Sequence, residues 1–235
     1  MENWLPEAAS SYAADLDGLL IFISAIVGVW FILAEAVLIG FAVAFRRKPG
    51  QKAAYLPGRS LRAMSWVLVP CVVVLGFDLV IDGVAAPIWD KVKIEIPESD
   101  EIVRITAVQW AWKFTLPGPD GELGSDDDVD VMSELHVPVG KVVEFELTAN
   151  DVIHSLFVPQ LRLKQDAIPG RVIKGWFEAT KTGTFEIVCA EICGLGHTIM
   201  KGKMVIESEE AYSDWVKSKM PEAAASIPAE ERNEG

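Results

Sequence analysis

The chain has 235 residues, enough for one or two domains, and 51% of them are hydrophobic. Its formal net charge of −13 argues against a nucleic-acid partner, because phosphates recruit Lys and Arg. The apolar residues are unevenly spread, which divides the chain into a lipid-compatible part and an acidic, water-facing part.

Residues 1–86 read as an N-terminal segment followed by two transmembrane helices, about 18–45 and 63–81. Gly18 to Phe45 is almost unbroken apolar sequence whose only charge is Glu35. At ~1.5 Å per residue it extends ~40 Å, enough to cross a ~30 Å hydrocarbon core with tilt. The second run carries Pro70 and, near its end, Asp78; a membrane helix tolerates Pro when neighbours satisfy the freed carbonyl. Arg46, Arg47, Lys48, Lys52, Arg59 and Arg62 lie between the runs, and no acid occurs between Glu35 and Asp78. The positive-inside rule makes that connection cytoplasmic. Both termini and everything after the second helix then lie on the periplasmic side of a plasma (inner) membrane crossed twice. Asp15 and Asp17 precede the first helix where a cleaved signal would be basic, so it reads as a retained anchor. An acidic side chain in mid-span costs ~2.5–3.5 kcal/mol on insertion scales, so Glu35 is expected to face protein or water. Cys71 reads as a small buried apolar residue.

Residues 87–220 form the second domain, and from Pro87 onward there are 15 Lys and Arg against 27 Asp and Glu. Such a face suits a basic partner, steered in electrostatically. Apolar and polar residues alternate over Ile102–Phe114, Val143–Ala149, Ile173–Phe177, Phe185–Ile187 and Met204–Ile206, with Gly and Pro between. That period predicts an all-β, antiparallel sandwich or small barrel. Pro117 to Asp128 is a turn-rich acidic loop, Glu209 to Lys219 a closing helix, and 221–235 a flexible tail. Trp110 and Trp112, two apart, are expected on one strand face, where exposed aromatics among acids would suit docking.

The chemistry concentrates in Cys189-Ala190-Glu191-Ile192-Cys193-Gly194-Leu195-Gly196-His197-Thr198-Ile199-Met200, directly after a strand-like run. Sulfur with imidazole selects copper, zinc or iron–sulfur chemistry, and the thioether of Met200 favours copper. A single-copper electron-transfer site uses one Cys, and this loop has two, so it reads as a dinuclear copper site. A Cys189–Cys193 disulfide and a two-Cys, two-His zinc site remain open. The loop has one imidazole, so a second comes from elsewhere. His154, in Asn150-Asp151-Val152-Ile153-His154-Ser155, is chosen; His136, entering a strand, reads as a surface or packing residue.

Four segments carry a resemblance: Cys-x-Glu-x-Cys-Gly-x-x-His-x-x-Met, Asp151-Val-Ile-His154, Lys164-Gln-Asp-Ala-Ile-Pro-Gly-Arg171 and Gln109-Trp-Ala-Trp112. On these the sequence resembles subunit II of the haem-copper cytochrome c oxidases, from about Asp15 to about Trp215. The resemblance implies a cupredoxin-like Greek-key domain and a CuA centre of two copper ions. Cys189 and Cys193 would bridge, His154 and His197 would cap, and Met200 and the Glu191 carbonyl would be axial. It also implies that the Glu191 carboxylate reaches a Mg or Mn ion shared with subunit I, a boundary lined by Lys164, Asp166 and Arg171. Trp110 would be where electrons arrive from a cytochrome c-like donor, en route to haem in a partner subunit. Oxidase subunits I and III and membrane lipid are the implied neighbours. The family often has Glu where Ala63 stands, and Glu35 is the substitute considered for that proton-channel role. Tyr is common where Ala111 stands and His where Val108 stands, so the docking surface and the donor are expected to differ, a donor held in a supercomplex being one form of this. The competing function is a membrane-tethered copper carrier or electron-shuttle cupredoxin, which needs only one span.

Overall fold

The computed structural model describes residues 5–53, 55 and 57–219. The predicted tail, 221–235, lies outside the described residues. The described residues form two compact units: one within Asp15–Asp90, and a second that joins residues 5–14 to Lys91–Lys219.

The helical unit holds α1 (Ala13–Ala44) and α2 (Leu61–Trp89), which is followed by one wide helical turn, Asp90–Ile94. Both helices are apolar on all sides, the pattern of a membrane span rather than of a helix lying on a protein core. At ~1.5 Å per residue the 32-residue α1 is ~48 Å long, more than the lipid core requires. The helix α1 begins five residues before the expected 18 and ends one short of 45, while α2 passes the expected 63–81 at both ends. Helical geometry persists through Asp15 and Asp17 at one end, and through Asp82 and Pro87 to Trp89 at the other. Ser60 caps α2, its hydroxyl accepting from the Ala63 N–H at 3.2 Å. Trp30 of α1 meets Phe77 of α2 edge to face.

The second unit is a sandwich of two five-stranded sheets. One contains β1 (Glu101–Val108), β2 (Ala111–Leu116), β3 (Val129–Met132), β5 (Val142–Ala149) and β8 (Ile173–Glu178), ordered β3-β2-β1-β5-β8. The other contains β4 (Glu134–Pro138), β6 (His154–Val158), β7 (Leu163–Ala167), β9 (Gly183–Cys189) and β10 (Lys201–Glu207), ordered β4-β10-β9-β6-β7. The cupredoxin-like sandwich expected from the resemblance is therefore present, with one qualification. Two pairings, β1 with β5 and β4 with β10, are parallel, because the chain switches sheets between those strands. In β5 the predicted face, Val143, Phe145, Leu147 and Ala149, is buried, and it packs with Ile105, Phe114, Phe177, Leu156, Ile187 and Met204 to form the core.

Residues before α1 complete this unit. Ser10 pairs with Ala179, Ala9 donates to the Gln160 carbonyl at 2.8 Å, and the Ser10 hydroxyl donates to the Leu161 carbonyl at 2.8 Å. Tyr12 is fully buried, edge-on to Trp176. The closing helix α3 (Glu209–Lys219) docks through Tyr212, whose hydroxyl donates to Glu101 at 3.0 Å, and through Trp215, which stacks on His136. His136 also lies between Glu207 at 2.7 Å and Glu134 at 3.2 Å, so it packs the helix down as expected.

Candidate metal centre

Strand pairing brings the predicted donors together. His154 opens β6, Cys189 ends β9, and these strands pair with Leu156 opposite Cys189. The loop from Cys189 to Met200 is closed at its base, where the Cys189 N–H donates to the Met200 carbonyl at 3.2 Å. The Ala190 N–H donates to the Ser155 carbonyl at 2.9 Å, tying the loop to the strand that carries His154. A helical turn, His197–Ile199, then delivers Met200 to the start of β10.

The two sulfurs, Cys189 Sγ and Cys193 Sγ, lie 3.8 Å apart. His154 Nδ1 is 3.9 Å from Cys189 Sγ and 3.2 Å from Met200 Sδ; His197 Nδ1 is 3.6 Å from Cys193 Sγ. The Glu191 carbonyl lies 3.3 Å from Cys189 Sγ. The donor atoms of His154, Cys189 and Cys193 all fall within 4.8 Å of one another, and all three residues are buried. A disulfide needs sulfurs ~2.05 Å apart, and both cysteines are free here. Two thiols, two imidazoles and a thioether around one small space suit a soft metal. Burial pushes the Cys193 thiol up to about 11, and the adjacent Cys189 sulfur adds to the rise, so a metal must displace its proton.

The flanking contacts include one that sequence reading left without a role. Asp151, three residues before His154, accepts from the His154 ring Nε2 at 2.8 Å and from the Gln109 and Val152 N–H groups at 2.6 and 2.7 Å. Burial alone would raise the Asp151 carboxyl, but these hydrogen bonds outweigh it and hold it below the usual range. Its place in the Asp151-Val-Ile-His154 segment was the available signal, since an imidazole ligand usually gives its other ring N–H to a carboxylate.

The tryptophans correct the sequence reading. Residues 102–114 are not one strand: a turn at Gln109-Trp110 separates β1 from β2. Trp110 sits on the turn at 39% exposure, whereas Trp112, in β2, is fully buried in the core. The two therefore do not share a face. The exposed side chains of the nearby loops mix apolar residues, Leu195 at 98% with Ile192 and Ile199, with the exposed acids Glu191 and Asp151. The Trp110 Nε1–H donates to the Cys193 carbonyl at 3.2 Å. The Glu191 carboxylate is exposed, with Lys164 Nζ at 3.8 Å and, beyond it, Asp166 at 3.4 Å from Lys164; Arg171 is exposed. Glu35 belongs to the helical unit, half-covered in α1 among exposed neighbours, and is not part of the donor cluster.

Fold and donor set together define a membrane-attached sandwich domain with a buried His154, Cys189 and Cys193 cluster that could hold a metal ion. A family profile described as cytochrome c oxidase subunit II, periplasmic domain, matches residues 112–209. An alternative cytochrome c oxidase subunit 2 of Bradyrhizobium diazoefficiens is 31% identical, with 91% of this chain and 82% of the relative covered. Cytochrome c oxidase subunit 2 of Thermostichus vulcanus is 30% identical, covering 95% of this chain and 80% of the relative. Among solved structures, the periplasmic domain of cytochrome oxidase subunit II of Bradyrhizobium japonicum aligns with 30% identity and a TM-score of 0.48, over 53% of this chain and 96% of that one. The chain belongs to the cytochrome c oxidase subunit II family. It is thus a membrane protein with a periplasmic domain, and a subunit of a terminal oxidase.

Proposed function

We propose that this chain is the electron-accepting subunit of a proton-pumping haem-copper oxidase, passing electrons from a cytochrome c-like donor towards haem in subunit I for the reduction of oxygen to water. The observation that carries this reading is the convergence of Cys189, Cys193, His154, His197, Met200 and the Glu191 carbonyl around one small space. The cysteines would bridge a CuA pair, the imidazoles would cap its two ends, and the thioether and carbonyl would be its weak ligands. When bound, such a pair accepts and returns one electron with little change in geometry. The protein's part is rigidity: every ligand but His197 and Glu191 is buried, and the loop is hydrogen-bonded shut at its base. That closure favours a resident metal over the exchangeable cargo of a copper carrier.

Trp110, exposed and hydrogen-bonded to the Cys193 carbonyl, is the point of electron arrival in this reading. The exposed Glu191 carboxylate, with Lys164 and Asp166 nearby, is offered to a Mg or Mn ion at the boundary with subunit I. Subunit III and a donor held in a supercomplex complete the proposed assembly, and Glu35 is the proposed acid of a proton route. The topology has a physical argument behind it. Segment 5–12 is hydrogen-bonded into the same unit as the sandwich, which supports a reading in which the chain before α1 and the chain after α2 share one side of the bilayer. Two spans between them satisfy that, and the basic connection then faces the cytoplasm.

Counting copper per chain and recording low-temperature EPR on the purified complex tests the proposal. Two coppers with one unpaired electron shared over both are expected. One copper with a localised blue-copper spectrum would refute it in favour of a shuttle.

A further inference from the structure

We infer that Gln109, Gly194 and Gly196 are positioning residues that hold the Trp110 indole on the ligand loop, making the Cys193 carbonyl the port through which electrons reach the metal ligands. The inference rests on the proposed role of Trp110 and specifies how this chain realises it. The Cys193 carbonyl accepts two N–H groups from the β1–β2 turn: the Gln109 side-chain amide at 2.7 Å and the Trp110 indole at 3.2 Å. The same turn is fixed at its other side, where the Gln109 backbone N–H donates to the Asp151 carboxylate that holds His154. The turn is therefore bolted to a residue of the bridging pair and, through Asp151, to an imidazole ligand.

The glycines make room for this. A Cβ at Gly196 would collide with the Trp110 ring, so only a bare backbone lets the indole lie there. Gly194 has a φ of +118°, which L side chains rarely adopt, and a Cβ there would come within 3.0 Å of Gln109 Nε2 and 3.3 Å of the indole. Leu195, between them, points almost wholly into solvent. The result is a short covalent and hydrogen-bonded route: indole N–H, Cys193 carbonyl, Cys193 backbone, Cys193 Sγ. Along it a reduced donor would lose one electron and oxidised copper held by these ligands would gain it; no bond forms and no proton moves. Indole positioning matters because electron transfer weakens with every gap that a displaced indole would open in this route.

The test uses the purified oxidase carrying Gln109→Glu, Gly196→Ala or Trp110→Phe. The Gln109→Glu change keeps the shape of the side chain, but the ionised carboxylate has no N–H to donate. Ultraviolet resonance Raman difference spectra against Trp110→Phe report the Trp110 N–H hydrogen bond, including in metal-free protein. Stopped-flow mixing with reduced donor reports electron arrival. The expected result is copper content and EPR as in the parent, a weakened indole hydrogen bond in Gln109→Glu and Gly196→Ala, and arrival about tenfold slower or more, as for disruption of other supporting contacts around a metal ligand. Parental rates in both of those variants, with Trp110→Phe slow, would overturn the positioning role and leave Trp110 standing. A parental rate in Trp110→Phe would remove the proposed role of Trp110, and the route with it. Loss of copper from Gln109→Glu and Gly196→Ala would also overturn the inference, making these residues builders of the metal site.

Discussion

Replacing Asp151 measures how the proposed metal ligands are held. Its carboxylate is the partner of the His154 Nε2–H at 2.8 Å, which keeps the proton on that nitrogen and leaves the Nδ1 lone pair facing the sulfurs. His154 is fully buried, so its ring N–H has no ready substitute in water once the carboxylate is gone. The same carboxylate holds the Gln109 and Val152 N–H groups, so Asp151→Ala loosens the β1–β2 turn as well as the ligand. Losing the carboxylate partner of a ligating imidazole costs about 10–100-fold in metal affinity, or ~1.4–2.7 kcal/mol. The burial of His154 and the two additional hydrogen bonds place Asp151→Ala towards the upper end. Asp151→Asn keeps one oxygen acceptor but loses the charge; since charge-assisted bonds are roughly twice as strong as neutral ones, its loss should stay under about tenfold. Competition between the purified chain and a chelator of known copper affinity gives both numbers. Parental affinity in Asp151→Ala would refute the reasoning, as would an Asn variant weaker than the Ala one.

Other expectations concern the rest of the chain. Cys189→Ser and Cys193→Ser should each abolish the shared two-copper signal, because in the proposed centre the remaining sulfur alone would not replace the lost bridge; EPR checks this. Tyr12→Ala should destabilise the sandwich by about 3 kcal/mol, the cost of removing a buried aromatic ring, measured by pulse proteolysis of the full chain in detergent. Tyr12→Phe should cost much less, because the Tyr12 hydroxyl makes only a long 3.4 Å hydrogen bond. Burial holds the Glu101 carboxyl above its ordinary range, although the Tyr212 hydroxyl donating to it works the other way. The folded state therefore favours the protonated form, and Glu101's contribution is full below the ordinary carboxylate pKa and lost as pH rises through the raised one. Glu101→Gln, always neutral, should gain in Tm relative to the parent between acid and neutral pH; a constant difference across that range would count against it. A thiol at Gln51→Cys should react with an impermeant maleimide only from the cytoplasmic side, and one at Ser125→Cys only from the periplasmic side.

The ligand loop was legible in sequence because its chemistry is local: two Cys, a His and a Met within twelve residues need only a hairpin base to converge. His154 is the choice among three His because it lies beside an alternating run while His136 enters a strand; the structure stacks His136 on Trp215 and sets His154 Nδ1 3.9 Å from Cys189 Sγ. Alternation read the core face of β5 correctly, because one side of that strand is buried along its whole length. It failed at Gln109-Trp110, where the apolar pattern continues through a turn: Trp110 is apolar because it lies on the metal loop, and Trp112 because it fills the core. Helix ends failed for a related reason. Hydropathy marks where a helix meets lipid, whereas Asp15 and Pro87 remain helical outside that zone because backbone hydrogen bonding outlasts the apolar run. The role of residues before α1 was illegible, since nothing in Ala9-Ser10-Ser11-Tyr12 announces a pairing with Ala179, some 170 positions away. Such long-range pairing is fixed by the shape of the sandwich edge, by Trp176 and the Leu161 carbonyl, and not by any local period. It also gives the proposed two-span topology a physical argument beside the statistical one: a segment hydrogen-bonded to the sandwich cannot be left on the far side of a membrane from it.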